Sequence, residues 1–273
     1  MSIITLTTDF GYRDEYVGVI KGVILKINPG ITIVDITHEI PAQDFMQAGH
    51  TLKAAFGWFP EGTIHIVVVD PGVGSERAVL AAHHAGHFFI APDNGLLPVV
   101  WGGLQPRRIV RVQNSELFLH PVSATFHGRD IFAPAGAHLA SGMRLDELGA
   151  AVNLTQIRHP ALTGPEWLND WEIQGHITNS DHFGNLRTDI AGEEIQALKQ
   201  QCKHGTLIIS LGGDRRIFGL AETYAESKKG RLIALINSRN QLEIAVAGGN
   251  AAQLLKAYAG LTVRVTMRPA DDS

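Results

Sequence analysis

The chain has 273 residues, 45% hydrophobic and 18% charged, which is ordinary for a globular protein with ample core. A net charge of −4 argues against a nucleic-acid footprint. A single cysteine, Cys202, excludes an intramolecular disulfide and a thiolate metal cage, and a buried, inert thiol is expected. In chain order, the opening MSIITLTTDF lacks the charged and apolar regions of a signal peptide. No apolar run approaches the ~20 residues of a membrane span, so a soluble cytoplasmic protein is expected. SIITLTT is a short strand broken by Asp9-Phe10-Gly11, and DEYVGVIKGVILKIN carries apolar residues at helical spacing up to Asn28-Pro29-Gly30. ITIVDIT is a second strand and DFMQAGHTLKAAFGWF a second helix. TIHIVVVD is a third strand, ended by Asp70, whose unbroken apolar run fits a sheet buried on both faces. AVLAAHH and HFFIAP follow as strands, a short helix starts at Asp93-Asn94-Gly95, and RDIFAPAGAHLASG is a further helix. Alternating strands and helices predict a Rossmann-like, mostly parallel α/β domain over residues 1–158.

The pattern changes at HPALTGPEW, which reads as a linker over 159–169. Beyond it, EIQGHITNSD, GNLRTDI, TLIISL, RLIALIN, QLEIAVAGG and LTVRVTM are short strands between turn residues. EEIQALKQQ is a clear helix and NAAQLLKAYA a second candidate. A mostly antiparallel, barrel-like β domain is therefore predicted over 170–273. The chain carries neither GxGxxG nor GxxxxGK[ST], so neither common phosphate loop is present. Its thirteen histidines include none in H-E-x-x-H or a comparable spacing, so no metal site is expected.

Five stretches carry candidate chemistry. Asp9 follows the first strand, where open α/β sheets bind ligands, and could accept both hydroxyls of a ribose or simply form a turn. Asp70 stands at the same edge, in VVDPGVGSERAVL, with Arg77 seven residues on and Gly74 leaving room for close approach to a ligand. Asp-Pro-Gly is also ordinary turn chemistry. His127 precedes a helix in ATFHGRDIFAP, where Arg129 and Asp130 could pair with each other. In NSDHFGNLRT, Asp181, Phe183 and Asn185 offer an anion, an aromatic face and a two-way amide, unless Phe183 is buried under a plain hairpin. Ser238 and Arg239 together suit a carboxylate, and the backbone at Gly248 could meet a base edge. A ribose acceptor, an amine acceptor, a carboxylate clamp and a ring platform match one ligand class, a nucleoside joined to an amino acid.

The set TDFG, VVDPGVGSERAVL, APDNGLL, TFHGRDIFAP, DHFGN and INSR, in order over nearly the whole chain, resembles the S-adenosylmethionine hydroxide adenosyltransferases. These belong with the S-adenosylmethionine-dependent chlorinases and fluorinases. The resemblance implies a Rossmann-like domain followed by a barrel-like one. It also implies a homotrimer with the ligand between one subunit's N-terminal domain and its neighbour's C-terminal domain. The implied reaction is hydrolysis of S-adenosyl-L-methionine at C5′ to adenosine and L-methionine, with no cofactor. Asp70, Arg77 and His127 match the set that handles the water, and Asp9 the ribose acceptor. Asp181 matches the ammonium contact, Ser238 and Arg239 the carboxylate clamp, and Phe183 and Asn185 the adenine contacts. A carboxylate at Asp70 would repel a halide, which argues against halogenation, and the N-terminal domain lacks the long insertion of fluorinases. A halogenase or dehalogenase and a non-catalytic adenosine or S-adenosylmethionine sensor are the rival readings. An arginine beside Asp70 weakens it as a base, so Asp70 is expected to aim the water and His127 to accept its proton.

Overall fold

The computed structural model describes residues 2–160, 164–202, 205–212 and 215–268. It divides into two compact units, residues 1–162 and 163–273.

The first unit is built on a six-stranded sheet with strands β1 (Ile3–Thr8), β2 (Thr32–Thr37), β3 (Ile64–Val68), β4 (Val79–His84), β5 (His87–Pro92) and β6 (Arg108–Arg111), in the spatial order β2-β1-β3-β5-β4-β6. β2, β1, β3 and β5 pair in parallel; helices link β1 to β2 and β2 to β3, whereas the chain passes from β3 to β5 through β4. β4 runs antiparallel to β5 and β6. The reason is the two-residue link Ala85-Gly86, both at positive φ (48° and 80°), which returns the chain at once as a hairpin. Every residue of β3 is buried, and its side chains divide by parity. Ile64, Ile66 and Val68 join one core with Ile20 and Ile24 of α1 (Tyr16–Ile27) and with α4 (Ala133–Ala140). Val67 and Val69 join the other, with Leu52 of α2 (Phe45–Ala55) and Leu96, Leu97 and Trp101 around α3 (Leu96–Trp101). α4 lies so close to the sheet that a Cβ at Gly136 would collide with Ile66. Because β1 leads through α1 to one neighbour and β3 flanks it on the other side, the carboxyl ends of β1 and β3 form the switch point where such sheets bind ligands.

On the α2 face, His65 is fully buried among Phe56, Phe59 and Phe89, bonded to Thr5 at 2.7 Å and to His87 at 3.2 Å. Burial, and then the nearby His87, push its pKa down to about 3. The folded state therefore refuses a proton that the unfolded chain takes up below the ordinary histidine value. Stability is full above that value and drains away as pH falls. Lowering pH from 7.5 to 5 is expected to cost about 2 kcal/mol from this residue alone. Urea midpoints at the two pH values check this. Replacement His65→Leu should flatten the dependence, and an unchanged slope would sink the idea.

The second unit is antiparallel and barrel-like. Its strands are β7 (Glu166–Asn169), β8 (Glu172–Ser180), β9 (Leu186–Ala191), β10 (Thr206–Leu211), β11 (Arg215–Phe218), β12 (Leu232–Ile236), β13 (Gln241–Val246) and β14 (Thr262–Arg268). The order is β11-β10-β14-β8-β9-β13-β12, with β7 paired to β8. Residues 166–169, assigned to the linker by composition, thus form a strand. The end strands approach each other, and Ala221 N–H donates to the Ala234 carbonyl across the gap (2.8 Å). Alternating residues such as Ile173 and Ile177 fill the interior with Leu186, Ile209, Ile244 and Val265. α5 (Gly192–Gln201) and the short α6 (Ala251–Leu255) are the α-helices of this unit among the described residues, and Tyr224–Glu226 forms a 3-10 turn. Cys202 is half-buried against this core rather than fully enclosed. No described helix is long and apolar enough to cross a membrane.

Candidate functional site

In the first unit the polar groups gather at the carboxyl edge of β1 and β3. Beyond β3, Asp70 opens a turn in which its carbonyl accepts from Val73 N–H (3.2 Å) and that of Gly72 from Ser75 N–H (3.1 Å). Gly74 has φ +78°, and a Cβ there would collide with the Ala124 carbonyl oxygen. Its bareness serves the docking of one backbone on another rather than approach to a ligand. That docking brings the 70–77 turn to the segment carrying His127. Arg77 forks onto Asp70, Nε donating to Oδ1 at 2.9 Å and Nη2 to Oδ2. The same Nη2 lies 3.0 Å from His127 Nδ1. Both side chains of the ion pair are nearly sealed, at 3% and 5% exposure, so a half-made bond would be costly. The Phe132 ring lies 5.5 Å from the guanidinium carbon.

His127 is held below the usual histidine range by burial first and then by the Arg77 charge. A guanidinium only donates, so Nδ1 accepts and the ring's hydrogen sits on Nε2. This departs from the expectation that His127 takes the water's proton, because one nitrogen is filled and the other already carries hydrogen. His127 leads into a π-helical turn, Gly128–Phe132, that runs on into α4. Inside it Asp130 is 1% exposed and accepts from Arg129 (2.6 and 3.0 Å) and from Ser123 N–H (2.8 Å). Burial would raise its pKa, but those donors outweigh it and hold the carboxyl below its ordinary range. Arg129 and Asp130 thus pair with each other and pin the segment before His127. Asp9 accepts from Gln43 N–H through Oδ2 (2.8 Å), and its Oδ1 takes no hydrogen bond among the described residues. Asp9, Asp70 and His127 line one pocket of about 300 Å³, with Phe10, Thr125 and Phe126.

In the second unit Asp181 holds the β8–β9 turn. Its Oδ1 accepts from Phe183 N–H and Asn185 N–H (both 2.9 Å), and its Oδ2 from Asn185 Nδ2 (3.3 Å). Arg187 Nη2 lies 3.8 Å from the same Oδ2. Phe183 is 72% exposed, so the buried-hairpin reading of that ring does not hold. In the β12–β13 turn, Asn237 Oδ1 accepts from Arg239 N–H (2.9 Å) and Gln241 N–H (3.1 Å). The Arg239 guanidinium makes no ion pair or hydrogen bond among the described residues. Burial, and then Arg187, hold its pKa below the usual arginine value. A half-buried cation without a partner is a place for an anion. Asp181, Ser238 and Arg239 line a pocket of about 370 Å³ together with Arg187, Tyr224, Asn237 and Glu243. Phe183, Asn185 and Gly248 lie outside its wall, Gly248 at φ +61° in the exposed turn after β13.

Sequence reasoning did not single out Thr125, Arg187, Tyr224 or Glu243. Only Glu243 had a local signal, a lone charge inside the apolar strand QLEIAV. No cluster of three or more His, Cys, Asp or Glu able to hold a metal occurs among the described residues.

The protein is thus a two-unit chain, an α/β unit with an acid, a guanidinium and an imidazole at its sheet edge followed by a barrel-like unit whose Arg239 guanidinium is unpaired among the described residues. The chain belongs to the SAM hydroxide adenosyltransferase family, whose N-terminal domain matches residues 4–149 and C-terminal domain residues 175–264. The (R)-S-adenosyl-L-methionine hydrolase of Thermus thermophilus is 36% identical over 94% of this chain and 97% of its own. A fluorinase of Actinoplanes sp. is 32% identical, with 97% of each chain covered. The crystal structure of an uncharacterised conserved protein from Thermotoga maritima matches with a TM-score of 0.87 at 34% identity, covering 97% of this chain and 99% of that one.

Proposed function

We propose that this protein hydrolyses S-adenosyl-L-methionine to adenosine and L-methionine, by attack of water at C5′ and without a cofactor. The observation that carries the reading is that Arg77 contacts both Asp70 and His127, which line one pocket with Asp9. The water oxygen bonds C5′ as the C5′–S bond breaks, and the bonding pair neutralises the sulfonium. A neutral thioether leaves, so no general acid is required. The difficulty is the nucleophile, since free water has a pKa of about 15.7. Asp70 aims the water and takes its proton as the new C–O bond makes it acidic, while Arg77 fixes the carboxylate. His127 offers Nε2–H as a donor. Asp9 receives the ribose hydroxyls, Arg239 and Ser238 the carboxylate, Asp181 the ammonium, and Phe183, Asn185 and Gly248 surround the adenine.

A buried carboxylate repels a halide, the more so at low local dielectric, which favours hydrolysis over halogen transfer. Incubation in ¹⁸O-water with chloride present tests both readings. Labelled 5′-hydroxyl on adenosine is the expected product. Formation of 5′-chloro-5′-deoxyadenosine would replace the reading with halogenation, and tight binding with no adenosine would replace it with a sensor. The proposal includes a cytoplasmic homotrimer in which the first unit's pocket meets a neighbour's second unit. The division of the ligand's polar partners between the two units supports it. Light scattering should give three times 29.6 kDa, and a monomer mass would refute that assembly.

A further inference from the structure

We propose that Glu243 is the positioning residue of the amino-acid end of this site: it holds the Asn237 turn in the one arrangement that lets Ser238 and Arg239 receive a carboxylate. The inference rests on the reading of Ser238 and Arg239 as that clamp.

Glu243 stands in β13, opposite Arg187 of β9 and Leu235 of β12. It is 2% exposed in a strand whose other buried residues are Leu242, Ile244, Ala245 and Val246. A carboxylate in such a place weakens the fold unless its oxygens are satisfied, and an apolar residue of the same size would commonly serve packing as well. Its two oxygens instead reach two separate segments. Oε1 accepts from Tyr224 Oη–H at 2.6 Å, and Oε2 from Asn237 Nδ2 at 3.1 Å. Asn237 has its amide oriented by the other end, because Oδ1 already accepts the N–H groups of Arg239 and Gln241. The amide cannot turn over without losing both, so Nδ2 must face an acceptor, and Glu243 is that acceptor. A chain of contacts therefore runs from the pocket wall, through Asn237, to the backbone of Arg239. The charge of Glu243 also acts on the Arg239 guanidinium without a direct bond, in a pocket that Arg187 lines as well. Neither of its bonds crosses the sheet ladder. What they order is the turn and the Tyr224 segment, not the strand.

The test exchanges the two groups. Asn237→Asp keeps the acceptor for Arg239 and Gln241 but sets a carboxylate against Glu243. Glu243→Gln alone keeps an acceptor for Asn237 and can donate to Tyr224. The double change, Asn237→Asp with Glu243→Gln, restores a donor–acceptor pair with its polarity reversed and the same total charge. Calorimetry with L-methionine in saturating adenosine reads the clamp, and adenosine alone reads the rest of the site. Asn237→Asp should weaken methionine about tenfold or more, the scale of leaving buried partners unmatched, with adenosine affinity unchanged. The double variant should lie within about threefold of the unaltered protein, since it restores the contact. A double variant no better than Asn237→Asp overturns the inference, as does a parallel loss of adenosine binding or no loss in Asn237→Asp. Release of no adenosine from S-adenosylmethionine by the unaltered protein would instead sink the proposed reaction, which the methionine affinities do not depend on.

Discussion

Replacing Asp70 by asparagine is expected to lower kcat by about 10²–10⁴-fold, the range of a well-placed base, while KM and adenosine affinity stay close to those of the unaltered protein. The reaction begins with a neutral water and a cation and ends with two neutral molecules and a proton. Among the described residues that line the first unit's pocket, Asp70 and Asp9 are the two acids, and Asp9 already accepts from Gln43 N–H. Asparagine keeps the shape and one acceptor for Arg77 but cannot take a proton. Its amide nitrogen also faces Arg77 donor to donor, so a modest loss of stability should accompany the loss of rate. Single-turnover measurements separate chemistry from release. An Asp70→Asn protein with undiminished single-turnover rate would return Asp70 to the status of a turn residue.

The strand ends that carry Asp9 and Asp70 were legible because interior parallel strands read as unbroken apolar runs, and ligands meet such sheets at the carboxyl edge. The direction of β4 was not, because its link to β5 puts an alanine at positive φ, where asparagine, aspartate or glycine would have signalled the turn. β6, β7 and β11 are four-residue strands, RIVR, EWLN and RRIF, whose charged or exposed residues hide any alternation. The contact of Arg77 with His127 joins residues 50 apart, and local pattern cannot see it. It depends on the bare backbone of Gly74 meeting Ala124. In the second unit the anionic character of Asp181 was plain in the sequence. Its prior commitment to its own turn, which a D-x-x-G-N run favours, went unweighed. Tyr224 matters because it meets Glu243 across nineteen positions, and its phenol is pushed up to about 12 by burial and that carboxylate.

Arg77→Lys is expected to cost about 10²-fold in kcat, the scale of a misplaced reacting group, although it keeps the charge. Lysine offers a single ammonium where arginine offers a fork, so it cannot hold both Asp70 oxygens in one plane and reach His127 Nδ1 as well. The carboxylate then pivots, and a water bonded to it points away from the line of the C5′–S bond. Arg77→Met removes the charge too, leaving Asp70 buried and unpaired, and should destabilise the first unit by about 3–5 kcal/mol. The two variants separate geometry from charge. If the fork is what matters, the lysine protein keeps much more of its melting temperature than the methionine protein yet turns over slowly, and the methionine protein fails in both respects. Lysine with full kcat would mean that a nearby positive charge suffices, and the planar grip on Asp70 would have no part in the reaction.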